Sequence, residues 1–213
     1  MKGYFITGTD TEVGKTEVSR ALADFYRKKS LKVGTMKPIA SGVSGVYEDA
    51  MILKGVNPVS LKLPLAPMVA ARLEKKKIDL EKVWKSFKEL KKLNDIVIVE
   101  GIGGLMVPIC KQGKKVFYVL DMIKKMKLPV IIVSRPNLGT INHTVMTVDI
   151  LKRSKVKIAG IIFNYTRPIK RDISIKTNPG IIEELTGIKV LGVMHYSKSS
   201  CKRKIAWHRN RGD

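Results

Sequence analysis

Short runs of apolar residues alternate along this chain with longer stretches in which apolar side chains recur every three or four positions. That alternation predicts βαβ units wound around a parallel sheet. Strands are expected at Gly3 to Thr7, Leu31 to Met36, Ile96 to Val99, Pro129 to Val133, Ile158 to Phe163 and Lys189 to Leu191. Several are apolar throughout, as strands covered on both faces should be. Helices are expected at Lys15 to Lys29, Asp79 to Leu93, Val116 to Lys127, Leu138 to Ser154 and Gly180 to Leu185. The second has the plainest signature. Asp79 can cap it, and Leu80, Val83, Trp84, Phe87 and Leu90 fall on one helical stripe that reads as core. No internal repeat or low-complexity linker divides the 213 residues, a length suited to one α/β domain.

In an open parallel sheet, ligands bind beyond the carboxyl ends of the strands. Reading past each predicted strand gives Gly8 and Thr9, then Lys37, Glu100, Ser134 and Asn164. Hydroxyls, a cation, an acid and an amide thus collect along one edge, where one polar site is expected.

Gly8-Thr9-Asp10-Thr11-Glu12-Val13-Gly14-Lys15-Thr16 follows a strand and opens a helix. Such a loop can wrap its backbone N–H groups around a polyphosphate, aided by the helix N-terminus. Lys15 would reach the β- and γ-phosphates, and the Thr16 hydroxyl would hold Mg²⁺. The spacing from Gly8 to Gly14 is one residue longer than in the standard P-loop, so the Gly-Lys-Thr end in its strand–loop–helix setting carries the reading. Glu100 follows Ile96-Val97-Ile98-Val99 as a metal-holding acid follows its apolar strand, and Gly101, Gly103 and Gly104 allow close backbone approach. The fold class expected is therefore α/β, a P-loop NTPase-type three-layer fold with a mostly parallel central sheet flanked by helices. Residues 1–196 form its domain, and 197–213 read as a basic tail without a helical apolar stripe.

The net charge of +23 raises the question of a nucleic-acid partner. The cations are spread over predicted helix faces, as in Glu74-Lys75-Lys76-Lys77, and are not interleaved with aromatics. The segment from Ser197 to Asp213 holds only six of the 41 basic residues. A solvated basic surface is expected rather than a specific nucleic-acid site. One class of P-loop protein, the DNA-partitioning ATPases, needs an extra lysine early in the loop, where this chain has Asp10. No apolar run approaches the roughly 20 residues needed to span a bilayer, and Gly3 to Thr7 already reads as a strand, not a secretory signal. Cys110 and Cys201 imply no disulfide framework. The cytoplasm is the expected location. His143, His195 and His208 are expected to have no catalytic role.

Four segments together resemble the dethiobiotin synthetases: Gly8 to Thr16, Lys37-Pro38-Ile39-Ala40-Ser41-Gly42, Glu100-Gly101-Ile102-Gly103-Gly104 and Leu138-Gly139-Thr140-Ile141-Asn142-His143. Glu48-Asp49-Ala50, Pro64 to Ala71 and Asn164 add to the resemblance, which runs from Tyr4 to about Gly192. It implies an ATP-dependent cyclo-ligase of biotin biosynthesis. Such an enzyme carboxylates 7,8-diaminopelargonic acid with CO₂, phosphorylates the carbamate with MgATP and closes the ureido ring. By the same resemblance, Lys37, Lys15 and Thr11 serve the chemistry. Glu12, Val13, Gly14, Lys15, Thr16, Glu100 and Asn164 hold the nucleotide, with Asn164 at the adenine edge. Ser41, Gly103, Gly104 and Asn142 line the diamine site, while Thr16, Asp49 and Glu100 hold Mg²⁺. A homodimer whose partner completes the substrate pocket is implied too. Two departures stand out. Gly192-Val193-Met194-His195 lacks the proline of the family's base-binding turn, and Met68 replaces a polar residue. Another amide-forming synthetase, of the kind related to cobyrinic acid amidation, is the competing enzyme reading, although this chain is too short for a fused ammonia-supplying domain.

Overall fold

Consecutive side chains of a strand point to opposite faces, and in the central strands both faces are apolar. Phe5 of β1 (Lys2–Gly8) faces one way and Ile6 the other. Val97 and Val99 of β5 (Ile96–Glu100) join Phe5, while Ile98 joins Ile6. β8 (Val130–Ser134) and β9 (Ile158–Asn164) divide in the same way: Val130, Ile132, Ile161 and Phe163 on one side, Ile131, Val133 and Ile162 on the other. A sheet of this kind must be covered twice, which makes three layers.

The computed structural model describes residues 2–43, 55–168, 173–197 and 203–208. Its main sheet has seven strands in the order β11-β10-β9-β8-β1-β5-β2, with β2 at Val33–Met36, β10 at Val190–Met194 and β11 at Ile205–Trp207. All neighbours are parallel except β11, which runs antiparallel to β10. Two small two-stranded sheets lie outside it: β3 (Ile39–Ala40) with β4 (Val59–Ser60), and β6 (Pro108–Gln112) with β7 (Lys115–Tyr118).

One face is covered by α1 (Lys15–Arg27), whose Val18 and Leu22 pack on Ile6, Ile98 and Ile131. The other carries α2 (Pro67–Leu73), α3 (Leu80–Leu93), α4 (Val119–Met126), α5 (Thr140–Arg153) and α6 (Ile173–Thr186). Their buried Trp84, Phe87, Met122, Leu151 and Ile182 share a core with Phe5 and Phe163. Burying each such side chain contributes about 1.5–3 kcal/mol before entropy is counted. The Asp79 carboxylate accepts the Lys82 N–H at 3.0 Å, capping α3 as expected.

Three elements differ from expectation. The helix expected from Val116 starts at Val119, because Lys115 to Tyr118 pairs with Pro108 to Gln112 as a hairpin turning at Gly113. The last helix begins at Ile173 and tolerates Pro179 within it, so it is longer than Gly180 to Leu185. Part of the expected tail is ordered: Ile205, Ala206 and Trp207 pair with Met194, Val193 and Gly192. Among the described residues, no helix is long and apolar enough to cross a membrane.

Candidate functional site

β1 ends at Gly8 in the middle of the sheet, between β5 and β8, and the loop that follows must turn the chain into α1. The turn uses two left-handed residues, Glu12 (φ 57°) and Gly14 (φ 81°). At Gly14 the strain falls on the residue type that tolerates it. Val13 anchors the loop by burying its side chain among the α1-face residues. Thr9, Asp10, Thr11 and Glu12 stay at the mouth. Asp10 accepts the Thr11 N–H at 2.7 Å and pairs with Arg135 at 2.6 Å, so the position that would hold a lysine in a partitioning ATPase carries a paired acid. The Lys15 ammonium folds back on the Asp10 carbonyl at 3.1 Å, across the cradle that a phosphate chain would fill.

Beside this loop, the ends of β1, β5 and β2 bring three predicted residues together. The Thr16 hydroxyl donates to Glu100 Oε1 at 2.7 Å, and the Lys37 ammonium pairs with the same oxygen at 3.1 Å. Both partners of the ion pair are nearly dry, with side chains 11% and 2% exposed. A carboxylate and a hydroxyl this close are hard oxygen donors of the type Mg²⁺ takes, usually together with water and substrate phosphates rather than in a protein cage. Among the described residues, no group of three or more His, Cys, Asp or Glu side chains that could hold a metal ion is found. Asp49, the third expected metal ligand, lies outside the described residues.

After Glu100 the chain turns through Gly101 to Gly104 and passes under the phosphate loop. Gly103 adopts φ 58°, and a side-chain carbon there would overlap Val107 Cγ2 at 2.6 Å while lying 3.8 Å from the Thr11 hydroxyl. One on Gly104 would sit 3.4 Å from the Gly8 carbonyl. Both expected substrate-site glycines are therefore at the loop. Ser41 stands half-buried past β3, where Gly42 N–H donates to the Leu63 carbonyl at 3.0 Å. Asn142 is exposed on the first turn of α5.

The other end of the loop opens into a cleft of about 710 Å³ lined by Thr11, Glu12, Arg135, Asn137, Asn164 and Thr166. Asn164 is buried at its back. Its Nδ2 donates to the Val13 carbonyl at 2.8 Å, and its Oδ1 accepts from Arg203 at 2.5 Å. Both ends of this amide, expected at the adenine edge, are thus engaged within the protein. Burial pushes the neighbouring Tyr165 phenol above its usual range, and its ring lies 5.2 Å from that of His195. Burial likewise raises the Cys110 thiol, away from thiolate chemistry.

Sequence reading placed Ser134 on this edge without giving it a partner, and it missed Arg203. Ser134, at the end of β8, bonds Thr140 at 2.7 Å and Thr144 at 2.8 Å and approaches Thr9 at 3.3 Å, tying the phosphate loop to α5. Its position past an apolar strand was the available signal. Arg203 left none, since its partners lie at least 38 positions away apart from His195.

Comparisons with known proteins bear on family and fold. A family profile described as an AAA domain matches residues 2–203. In overall architecture the chain is similar to the MinC:MinD cell division protein complex of Aquifex aeolicus, with a TM-score of 0.56, 15% identity, 93% of this chain and 83% of that one covered. That likeness concerns the fold alone. In sequence it is 44% identical to an ATP-dependent dethiobiotin synthetase of Thermodesulfovibrio yellowstonii, over 95% of this chain and 92% of the relative. A Methanococcus vannielii protein with the same description is 39% identical over 91% and 93%. With the phosphate loop, Lys37 and Glu100 converging on one sheet edge, and with identity of this extent over nearly the whole length, the chain belongs to the ATP-dependent dethiobiotin synthetase family.

Proposed function

We propose that this protein makes dethiobiotin from 7,8-diaminopelargonic acid, CO₂ and ATP in the cytoplasm, releasing ADP and phosphate. The observation that carries the reading is the meeting of Lys37, Glu100 and Thr16 beside a phosphate loop. Negative charge builds up on a carbamate and on a transferring phosphoryl group in this chemistry, and two lysines converge where it would appear. One amine of the diamine attacks CO₂ and loses a proton, giving a carbamate. A carbamate oxygen then attacks the γ-phosphorus, breaking its bond to ADP and forming a mixed anhydride. The second amine attacks the carbonyl, phosphate leaves, and the ureido ring closes.

The substrate supplies every nucleophile, so the protein's part is to position and to neutralise. Lys15 turns from the Asp10 carbonyl to the β- and γ-phosphates. Lys37, held by Glu100, faces the carbamate and the γ-phosphate, with Thr11 and Ser41 as hydrogen-bonding neighbours. Glu12, Val13 and Gly14 shape the cradle, and Asn164 backs the end where the base lies. Thr16 and Glu100, with Asp49, would hold Mg²⁺, which supplies positive charge to the phosphates. Gly103, Gly104 and Asn142 would border the diamine, with the partner subunit of a homodimer completing the pocket.

The test is direct. Purified protein incubated with the diamine, bicarbonate and MgATP is expected to yield dethiobiotin by mass spectrometry, with phosphate released in equal amount. A folded protein that releases no dethiobiotin would refute the assignment.

A further inference from the structure

The peptide between Val13 and Gly14 has its carbonyl and its N–H on opposite edges of one plane. Whatever holds the Val13 carbonyl outward therefore turns the Gly14 N–H inward, toward the cradle that phosphates would occupy. Asn164 holds it: Nδ2 donates to the Val13 carbonyl at 2.8 Å. An amide can do this only in one of its two orientations, because its other face is an acceptor.

Arg203 takes up the acceptor end of the same amide. It is 3% exposed, enters just before β11, and reaches between the first turn of α1 and the ends of β9 and β10. Nη2 donates to Asn164 Oδ1 and to the Tyr165 carbonyl, both at 2.5 Å, and Nε donates to the His195 carbonyl at 3.2 Å. Nη1 pairs with Glu17 of α1, which also lies 3.4 Å from Asn164 Nδ2. The Arg203 carbonyl accepts from Arg20 at 3.2 Å, fixing the residue at its backbone as well. Were Asn164 to flip, its NH₂ would face a guanidinium and its oxygen would face the Val13 carbonyl. Both contacts would then be unsatisfied in a buried site.

We propose that Arg203 is a positioning residue for nucleotide binding: by orienting the Asn164 amide it sets the Val13–Gly14 peptide with its N–H toward the phosphates. Its charge is matched locally by Glu17, so the effect is one of orientation rather than attraction. The proposal rests on the reading of Gly8 to Thr16 as the phosphate cradle, not on the identity of the second substrate.

The test is calorimetric titration of the full chain with MgATP, without diamine, below each variant's measured melting transition. Arg203→Met removes the fork at similar volume and is expected to weaken ATP binding about tenfold or more, the cost of a misdirected buried polar group. Arg203→Lys keeps the charge, folds into the same Glu17 pairing, and is expected to recover only part of the affinity. Asn164→Ala should show a comparable loss, and the Arg203→Met/Asn164→Ala double variant should be no worse than the weaker single one, as expected for residues acting through one link. Wild-type affinity in Arg203→Met, full recovery by lysine, or losses that multiply in the double variant would each overturn the proposal. If Arg203→Met does not fold, Arg203→Lys and Asn164→Ala still decide it, since wild-type ATP affinity in either would overturn the proposal. In turnover assays the loss should fall on KM for ATP, with kcat little changed. A chain that makes no dethiobiotin but loses ATP affinity on Arg203→Met would refute the reaction and leave the positioning role standing.

Discussion

Lys37 and Glu100 neutralise each other at 3.1 Å in a nearly dry corner, and Thr16 shares the same carboxylate oxygen. An anionic ligand entering there would meet a lysine already in place, with little reorganisation left to pay. Lys37→Ala is therefore expected to lower kcat by about 10²-fold or more while leaving ATP binding largely intact. The measurement is steady-state turnover alongside a direct ATP titration. Stripping the cation from a buried carboxylate also destabilises, on the order of 3–5 kcal/mol when the pair is fully buried. Lys37→Gln, which keeps volume and a donor, separates that effect from chemistry if melting curves are recorded for both. The residues legible in advance share one property. Gly8, Lys37 and Glu100 each stand at or next to an apolar strand end, and Lys15 and Thr16 open the helix that follows the loop, so local pattern locates them. Arg203 does not: 186 positions separate it from Glu17 and 39 from Asn164, and only the returning chain brings them together.

Among the elements, α3 was readable from both its stripe and its cap, since Asp79 and the apolar positions lie within one segment. Asp79→Ala is expected to cost about 1 kcal/mol, lowering Tm by about 2–4 °C for a chain of this size. Activity at moderate temperature should be unchanged, because α3 lies away from the phosphate loop; calorimetry of both proteins checks this. The β6–β7 hairpin was hidden by its own composition. Lys111, Lys114 and Lys115 dilute the alternation, and Val116, Phe117 and Tyr118 run into α4 without a break that composition reveals. The last helix was expected only from Gly180, just after Pro179, and a proline in a helix interior normally breaks or kinks it. Here the helix runs through it.

For the molecule as a whole, the three layers were legible because both faces of the same strands are apolar, whereas the strand order came only from the structure. The assembly was not, because a subunit surface must look acceptable to water too. The turn before α5 leaves Leu138 83% exposed and the start of α6 leaves Ile173 80% exposed, with Met146 of α5 and Leu185 of α6 also showing. We expect sedimentation velocity to give a species of twice 23.8 kDa, and Leu138→Asp to shift it toward the monomer. A wild-type chain that sediments as a monomer at assay concentrations would remove the proposed second-subunit contribution to the substrate pocket. At one border of the sheet, β11 lies along β10 over Gly192, Val193 and Met194. Without it, those residues would offer an open ladder of amides and carbonyls on a largely apolar strand, a template for another copy of the chain. β11 is short and is followed and preceded by cations, which makes it a poor template itself. Three residues that end in Trp207 thus guard the protein against self-aggregation, and a chain shortened before Ile205 should be lost to insoluble material before its chemistry could be measured.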